Sequence, residues 1–171
     1  MILSLFAASF FGLCLIAALI DVETLTIPNW ANGWLAFLFI PACIIAAPGW
    51  DVTGMHLLVA AITFVISVLL FFAGIYGGGD AKMIPAVVLW IGPVGLLHFL
   101  IGTAFIGGIL TILVVIARVL IPAQVTPGFG VATLKEGKGV PYGVAIAGRA
   151  LYAAPHSPIL TNFLSQISSF G

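Results

Sequence analysis

Two aspartates carry the chemistry this sequence offers. Asp80 closes the run Gly77-Gly78-Gly79-Asp80 at the junction of two strongly apolar segments, and Asp21 closes the first apolar segment of the chain. The sequence holds only five acidic and five basic residues. A carboxylate placed where a chain enters lipid is costly, which points to function rather than accident. Two carboxylates side by side cannot both ionise easily, so they hold one shared proton and titrate as a unit. The ionised member can deprotonate a water, while the protonated member polarises a peptide carbonyl and later delivers a proton to the leaving amine. That is peptide hydrolysis of the aspartic kind, with no metal and no covalent intermediate. Glycines 77 to 79 would let a substrate backbone approach closely and would leave Asp80 free to reorient.

Plainer readings stand beside this one. Asp80 is also a favoured type for the N-cap of a following helix, and Asp21, like Glu23, is compatible with a helix end among headgroups. Asp51 falls in a separate polar stretch and reads as a solvated loop residue. His56, His98 and His156 are scattered without metal-ligand spacing, so packing or interfacial roles are expected and no metal site is assigned. Trp30, Trp34, Trp50 and Trp90 lie near the ends of apolar segments and read as interface anchors. Lys82 either snorkels to headgroup phosphates or holds Asp80 partly ionised. Arg149 lies well inside the last apolar segment, where it either snorkels outward or faces other helices.

The elements that must position these residues are set by composition. Of 171 residues, 63% are hydrophobic and 6% charged, with a mean hydropathy of +1.31. A soluble domain carries about 25% charged residues, so the chain is expected to be an integral membrane protein. A formal net charge of zero argues against nucleic acid as a partner. Cys14 and Cys43 lie in separate apolar runs without CxxC spacing, and read as packing thiols rather than a disulfide or zinc site. The first residues lack a positively charged stretch and are followed by comparable segments, so they read as a retained span rather than a signal.

Six apolar segments follow one another: residues 2–20, 30–47, 55–76, 83–91, 94–117 and 140–154. Pro48-Gly49 breaks the chain after the second, residues 51–56 are expected as a short loop, and Gly92-Pro93 interrupts the fourth and fifth. The fourth is too short to cross unless its helix begins near Asp80 and tilts. Residues 122–139 form a Pro/Gly-rich loop, and the serine-rich tail after Pro155 is expected on the membrane surface. No repeat or separate soluble domain is visible, so residues 1–171 are read as one membrane domain. The expected fold is therefore an all-α polytopic bundle of about six transmembrane helices in the lipid bilayer. Lys82, Arg118, Lys135 and Lys138 all fall on one side of that arrangement, and the opposite loops hold no Lys or Arg. The positive-inside rule assigns that side to the cytoplasm, with both termini outside. Asp21 and Asp80 then share one depth at the cytoplasmic boundary.

At these residues the sequence resembles the type IV prepilin peptidases, GxGD-type intramembrane aspartic proteases, over residues 1–154. Asp21 precedes Ile27-Pro28-Asn29, matching the family's first aspartate ahead of an Ile-Pro-Asn motif. Gly77-Gly78-Gly79-Asp80-Ala81-Lys82 matches its GxGD motif with a lysine two residues on. Val140-Pro141-Tyr142-Gly143-Val144-Ala145-Ile146 is similar to the Pro-Tyr-Gly-Val-Ala motif of short members serving Tad/Flp pili, the CpaA/TadV type. The resemblance implies a bacterial inner-membrane endopeptidase that removes the short basic leader from a prepilin or pseudopilin. It implies Asp21 and Asp80 as the catalytic pair, with Gly77, Gly78 and Gly79 shaping the loop. Pro28, Asn29, Lys82, Pro141, Tyr142 and Gly143 would support the substrate, and no cofactor is implied.

Longer family members carry a cytoplasmic domain with paired cysteines and also methylate the new N-terminus. That insert is missing from this sequence, so cleavage without methylation and without zinc is expected. Arg149 stands where the family has small or apolar residues. Two rivals remain at this point: a proton- or cation-coupled transporter, which would place its carboxylates near mid-membrane, and a non-catalytic factor of the pilus assembly machinery.

Overall fold

The computed structural model describes residues 2–121, 130–134 and 139–161, and every element among them is helical. Lys135, Glu136 and Lys138, and the tail beyond Thr161, lie outside the described residues. The elements are α1 (Ile2–Thr24), α2 (Asn29–Ala46), α3 (Trp50–Phe72), α4 (Asp80–Leu120), the short α5 (Val131–Leu134) and α6 (Tyr142–Ala153), which runs into a 3₁₀ turn at Ala154–His156. Four of them, α1 to α4, are long and apolar enough to cross a membrane. Large apolar side chains such as Ile44, Phe72, Leu97, Phe105 and Val119 stand exposed along them, as a lipid-facing surface requires. The chain is thus a helical membrane protein.

The two segments flanking Gly92-Pro93 belong to one helical element, α4, which folds back on itself. Gly92 has φ 70 and ψ −171, a conformation open to glycine. Asp80 and Ile84 share a cavity wall with Leu100, Thr103 and Ala104. A straight helix would separate Asp80 from Thr103 by about 35 Å, so residues 80–91 and 93–120 must lie side by side. Pro93 has no N–H to offer the carbonyl of Leu89, and the reversal removes the partner of the next carbonyl as well. His56 Nδ1 donates to the Leu89 carbonyl at 2.9 Å, and Ser157 Oγ donates to the Trp90 carbonyl at 2.6 Å. Gly92 has no Cβ because the His56 ring occupies its place.

Lipid is as apolar as the helices, so packing of small residues, not exclusion from water, brings such helices together. In α1, Ala7, Phe10, Cys14, Ala17 and Asp21 recur three or four residues apart and are all buried, forming one face that ends in the aspartate. That face meets α6, whose buried residues are mainly Gly and Ala. The buried residues of α3 are His56, Ala60, Thr63 and Ser67, a narrow stripe turned toward α4. Both cysteines are buried and free.

Two expectations are corrected. Residues 51–56 are not a loop: Gly49, at φ 95, ends the break and α3 begins at Trp50. Trp90 is not an interface anchor but lies fully buried among Phe10 and Phe39, its indole N–H donating to the Leu35 carbonyl at 2.8 Å. Trp30, Trp34 and Trp50 are exposed.

Candidate active site

The last turn of α1 and the first residue of α4 meet at one end of the bundle. Asp21 and Asp80 line a single cavity of about 750 Å³, together with Gly77, Gly78, Gly79 and Tyr142. They are its only acidic side chains among the described residues, and each lies within electrostatic reach of the other. Asp21 is 5% exposed, and its Oδ2 accepts a 2.8 Å hydrogen bond from the backbone N–H of Gly143. Asp80 is half-buried, and the backbone of Gly77 hydrogen-bonds its carboxyl. Gly79, not Asp80, occupies the N-cap position of α4, and there is no side-chain capping bond. The Asp80 side chain is therefore not spent on its own helix.

The three glycines have different reasons to be small. A Cβ on Gly77 would stand 2.9 Å from Asp80 Oδ2, so its absence leaves room for the carboxyl. A Cβ on Gly79 would meet Cβ of Ile27 at 2.8 Å, so here the glycine run closes against the Ile27-Pro28-Asn29 segment. Gly78 is exposed and faces the Phe71 ring. Gly143 completes the set, since a Cβ there would stand 2.9 Å from Asp21 Oδ2.

The remaining residues singled out in the sequence fall around the cavity rather than in it. Pro28 and Pro141 precede the first residues of α2 and α6. Lys82 Nζ donates to Asn29 Oδ1 at 2.9 Å, joining the start of α4 to the start of α2, and neither residue lines the cavity. Arg149 packs inward against Gly102 of α4, donates to the His98 carbonyl at 2.7 Å and stands 4.5 Å from the Tyr152 ring centroid.

Three residues at this end were not singled out as site residues. Tyr76, directly before the glycines, lies close to Asp80. Burial, then the charges of Asp80 and Tyr142, push its phenol above the ordinary value, so it remains a neutral O–H donor at neutral pH. Arg118, read from sequence only as a topology signal, donates through Nε and a terminal nitrogen to the Thr133 carbonyl at 2.9 and 2.8 Å, and to the Gly139 carbonyl at 2.7 Å. Thr133 Oγ1 in turn donates to the Val22 carbonyl at 2.6 Å. These bonds fasten residues 130–134 and 139 beside the end of α1, where Ala132 and Gly139 form part of the cavity wall.

A family model, described as the type IV leader peptidase family, matches residues 8–112, more than half of the chain. The chain belongs to the type IV leader peptidase family. The matched stretch includes Asp21, Ile27-Pro28-Asn29 and Gly77 to Lys82, and ends before Pro141-Tyr142-Gly143. No curated protein and no solved structure matches the chain. Leader peptidases of this family act on prepilins, so the family implies a prepilin substrate.

Proposed function

We propose that this leader peptidase is an aspartic endopeptidase of the bacterial inner membrane, and that it removes the short basic leader of a prepilin or pseudopilin without N-methylation. One observation carries the reading: Asp21 and Asp80, from the ends of two different helices, face one cavity at one end of the bundle. In the proposed reaction one carboxylate takes a proton from water as the water oxygen bonds to the scissile carbonyl carbon. The other, protonated, polarises that carbonyl and then protonates the amine as the C–N bond breaks. The Gly143 N–H holds Asp21 in place, Tyr142 lines the cavity wall, and Tyr76 lies close to Asp80.

The proposed topology counts six passages: α1, α2, α3, the two limbs of α4 and α6. The aspartate end is then cytoplasmic, with both termini outside. Lys82 and Arg118 at that end support this by the positive-inside rule. Pro141-Tyr142-Gly143, set against Asp21 through Gly143, supports assignment to the short CpaA/TadV type serving Tad/Flp pili. The position of the carboxylates at a helix boundary favours proteolysis over ion transport.

Co-expression with a tagged prepilin tests the reading. Asp21→Asn and Asp80→Asn should each stop leader removal while the protein still inserts in the membrane. Normal processing by either variant would refute the pair, as would cysteine-accessibility labelling that puts positions 21 and 80 on opposite faces.

A further inference from the structure

A second cavity, of about 460 Å³, adjoins the first and differs from it in chemistry. The two share Ile75, Asp80 and Tyr142 in their walls, so Asp80 stands at the threshold between them. The first is lined by glycines and by the turn after α1. The second runs along α3 from Leu70 to Val59, about 16 Å into the bundle at helical rise. Its opposite wall is α4, and most of its lining is aliphatic.

Three aliphatic hydroxyls interrupt that apolar wall: Thr63 and Ser67, one turn apart on α3, and Thr103 on α4. Thr103 is only 7% exposed and its Oγ1 has no hydrogen-bond partner. Thr63 Oγ1 donates to the Val59 carbonyl at 2.7 Å, which leaves its lone pairs free to accept. A buried hydroxyl without a partner is uncommon in a folded protein and calls for something to meet it.

We infer that this cavity holds the apolar segment of the substrate just beyond the cut bond, and that the hydroxyls of Thr63, Ser67 and Thr103 take peptide groups of that segment. The inference rests on the proposed peptidase reading. A chain laid across Asp80 has one side in the mixed, glycine-lined cavity and the other in the aliphatic one, and the aliphatic one suits an apolar segment. To reach the carboxylates the segment must lie extended, which leaves its peptide N–H and C=O groups without the partners a helix would give them. Among aliphatic side chains such groups are strongly unfavourable. Hydroxyls set at intervals along the wall replace the lost bonds, whatever side chains the substrate carries.

The test uses a full-length tagged prepilin with a photo-crosslinking residue one helical turn beyond the cut bond, held uncut by Asp80→Asn enzyme in membranes. Crosslinks should map to α3 between residues 59 and 67 or to α4 between residues 96 and 104. Crosslinks confined to α1 or α2 would overturn the inference. In active enzyme, Thr103→Val should slow cleavage of the full prepilin by about tenfold, the equivalent of one lost hydrogen bond. Leu100→Trp, which fills the cavity, should slow it further. Both variants should cut a short leader peptide that ends just past the bond at the normal rate. Equal slowing of both substrates, or of neither, would also overturn it. Continued cleavage by Asp80→Asn enzyme would instead refute the aspartate pair, leaving the comparison of full prepilin with short peptide to judge the cavity.

Discussion

Helix α6 makes one polar contact at its start and another about two turns farther on, and the two are built in opposite ways. At its start, Gly143 admits the Asp21 carboxyl and donates its N–H to it. Farther along, the relation is inverted: α6 supplies the polar side chain, Arg149, and Gly102 of α4 makes room for it. In both places a missing Cβ lets a charged group lie between helices. The surroundings then diverge. One terminal nitrogen of the Arg149 guanidinium donates to the His98 carbonyl and the group lies over the Tyr152 ring, although its Nε has no partner. Asp21 is answered by one backbone N–H and then faces a cavity with a second carboxylate in its wall. A cation met by a carbonyl and a ring holds helices in register. Two like charges around an open volume oppose folding, so their retention needs a reason beyond packing. A glycine beside a buried charge is thus no signature of a site; the unanswered like charge is.

The sharpest way to break this contrast is to remove the charges. Asp21→Asn or Asp80→Asn should lower leader cleavage by about a thousandfold, the scale of an acid or base removed from a reaction. Wild-type enzyme should lose rate on both sides of a pH optimum, because the reaction needs one carboxylate and one carboxylic acid together. A rate that rises steadily with pH would disprove the shared-proton scheme. Next in size comes Gly143→Ala. The new methyl would stand 2.9 Å from Asp21 Oδ2 and displace the carboxyl, and misplacing a reacting group by about 1 Å can cost about a hundredfold. The loss should appear in kcat, measured on purified enzyme, with little change in thermal stability. At the other contact the balance should reverse. Gly102→Ala drives the Arg149 guanidinium out of its seat, a packing strain of about 1–3 kcal/mol. Its thermal unfolding midpoint should fall while cleavage per folded enzyme holds. If Gly143→Ala proved to be only a stability defect, the two contacts of α6 would differ in sign of charge and nothing more.

How much of this was legible in the sequence follows from what each signal depends on. Four membrane helices and the breaks near Asp21, Pro48-Gly49 and Asp80 were visible because lipid requires long apolar runs and disfavours carboxylates within them. The α1 stripe leading to Asp21 was not read, because a helix that is apolar all round shows no contrast between its buried and lipid-facing sides. The fold-back of α4 was marked by Gly92-Pro93, yet nothing local says that His56 and Ser157 supply the bonds Pro93 removes, since both lie far away in sequence. Trp90 was misread for the same reason: position near a segment end cannot reveal that the end is buried in the bundle. The glycine run was read as space for a substrate, whereas at Gly79 the space is filled by Ile27. Arg118 looked like a topology signal because its partners are backbone carbonyls, which have no sequence signature.

Lys82 provides the smallest test and separates two readings of one residue. It follows Asp80 closely, so a role in keeping that carboxylate ionised is natural from sequence. Its Nζ instead donates to Asn29 Oδ1 at 2.9 Å across the starts of α4 and α2. This bond braces the loop in which Gly79 already meets Ile27. An exposed bond of this kind contributes little, so Lys82→Met should lower cleavage by no more than about threefold. If Lys82 acts as the brace, Asn29→Ala should produce the same loss, and the double variant should be no worse than either single one. The pH–rate profile should keep its shape in all three. If Lys82 acts on Asp80 by charge, removing it makes that carboxyl easier to protonate. The acid limb of the profile would then move to higher pH in Lys82→Met but stay in place in Asn29→Ala.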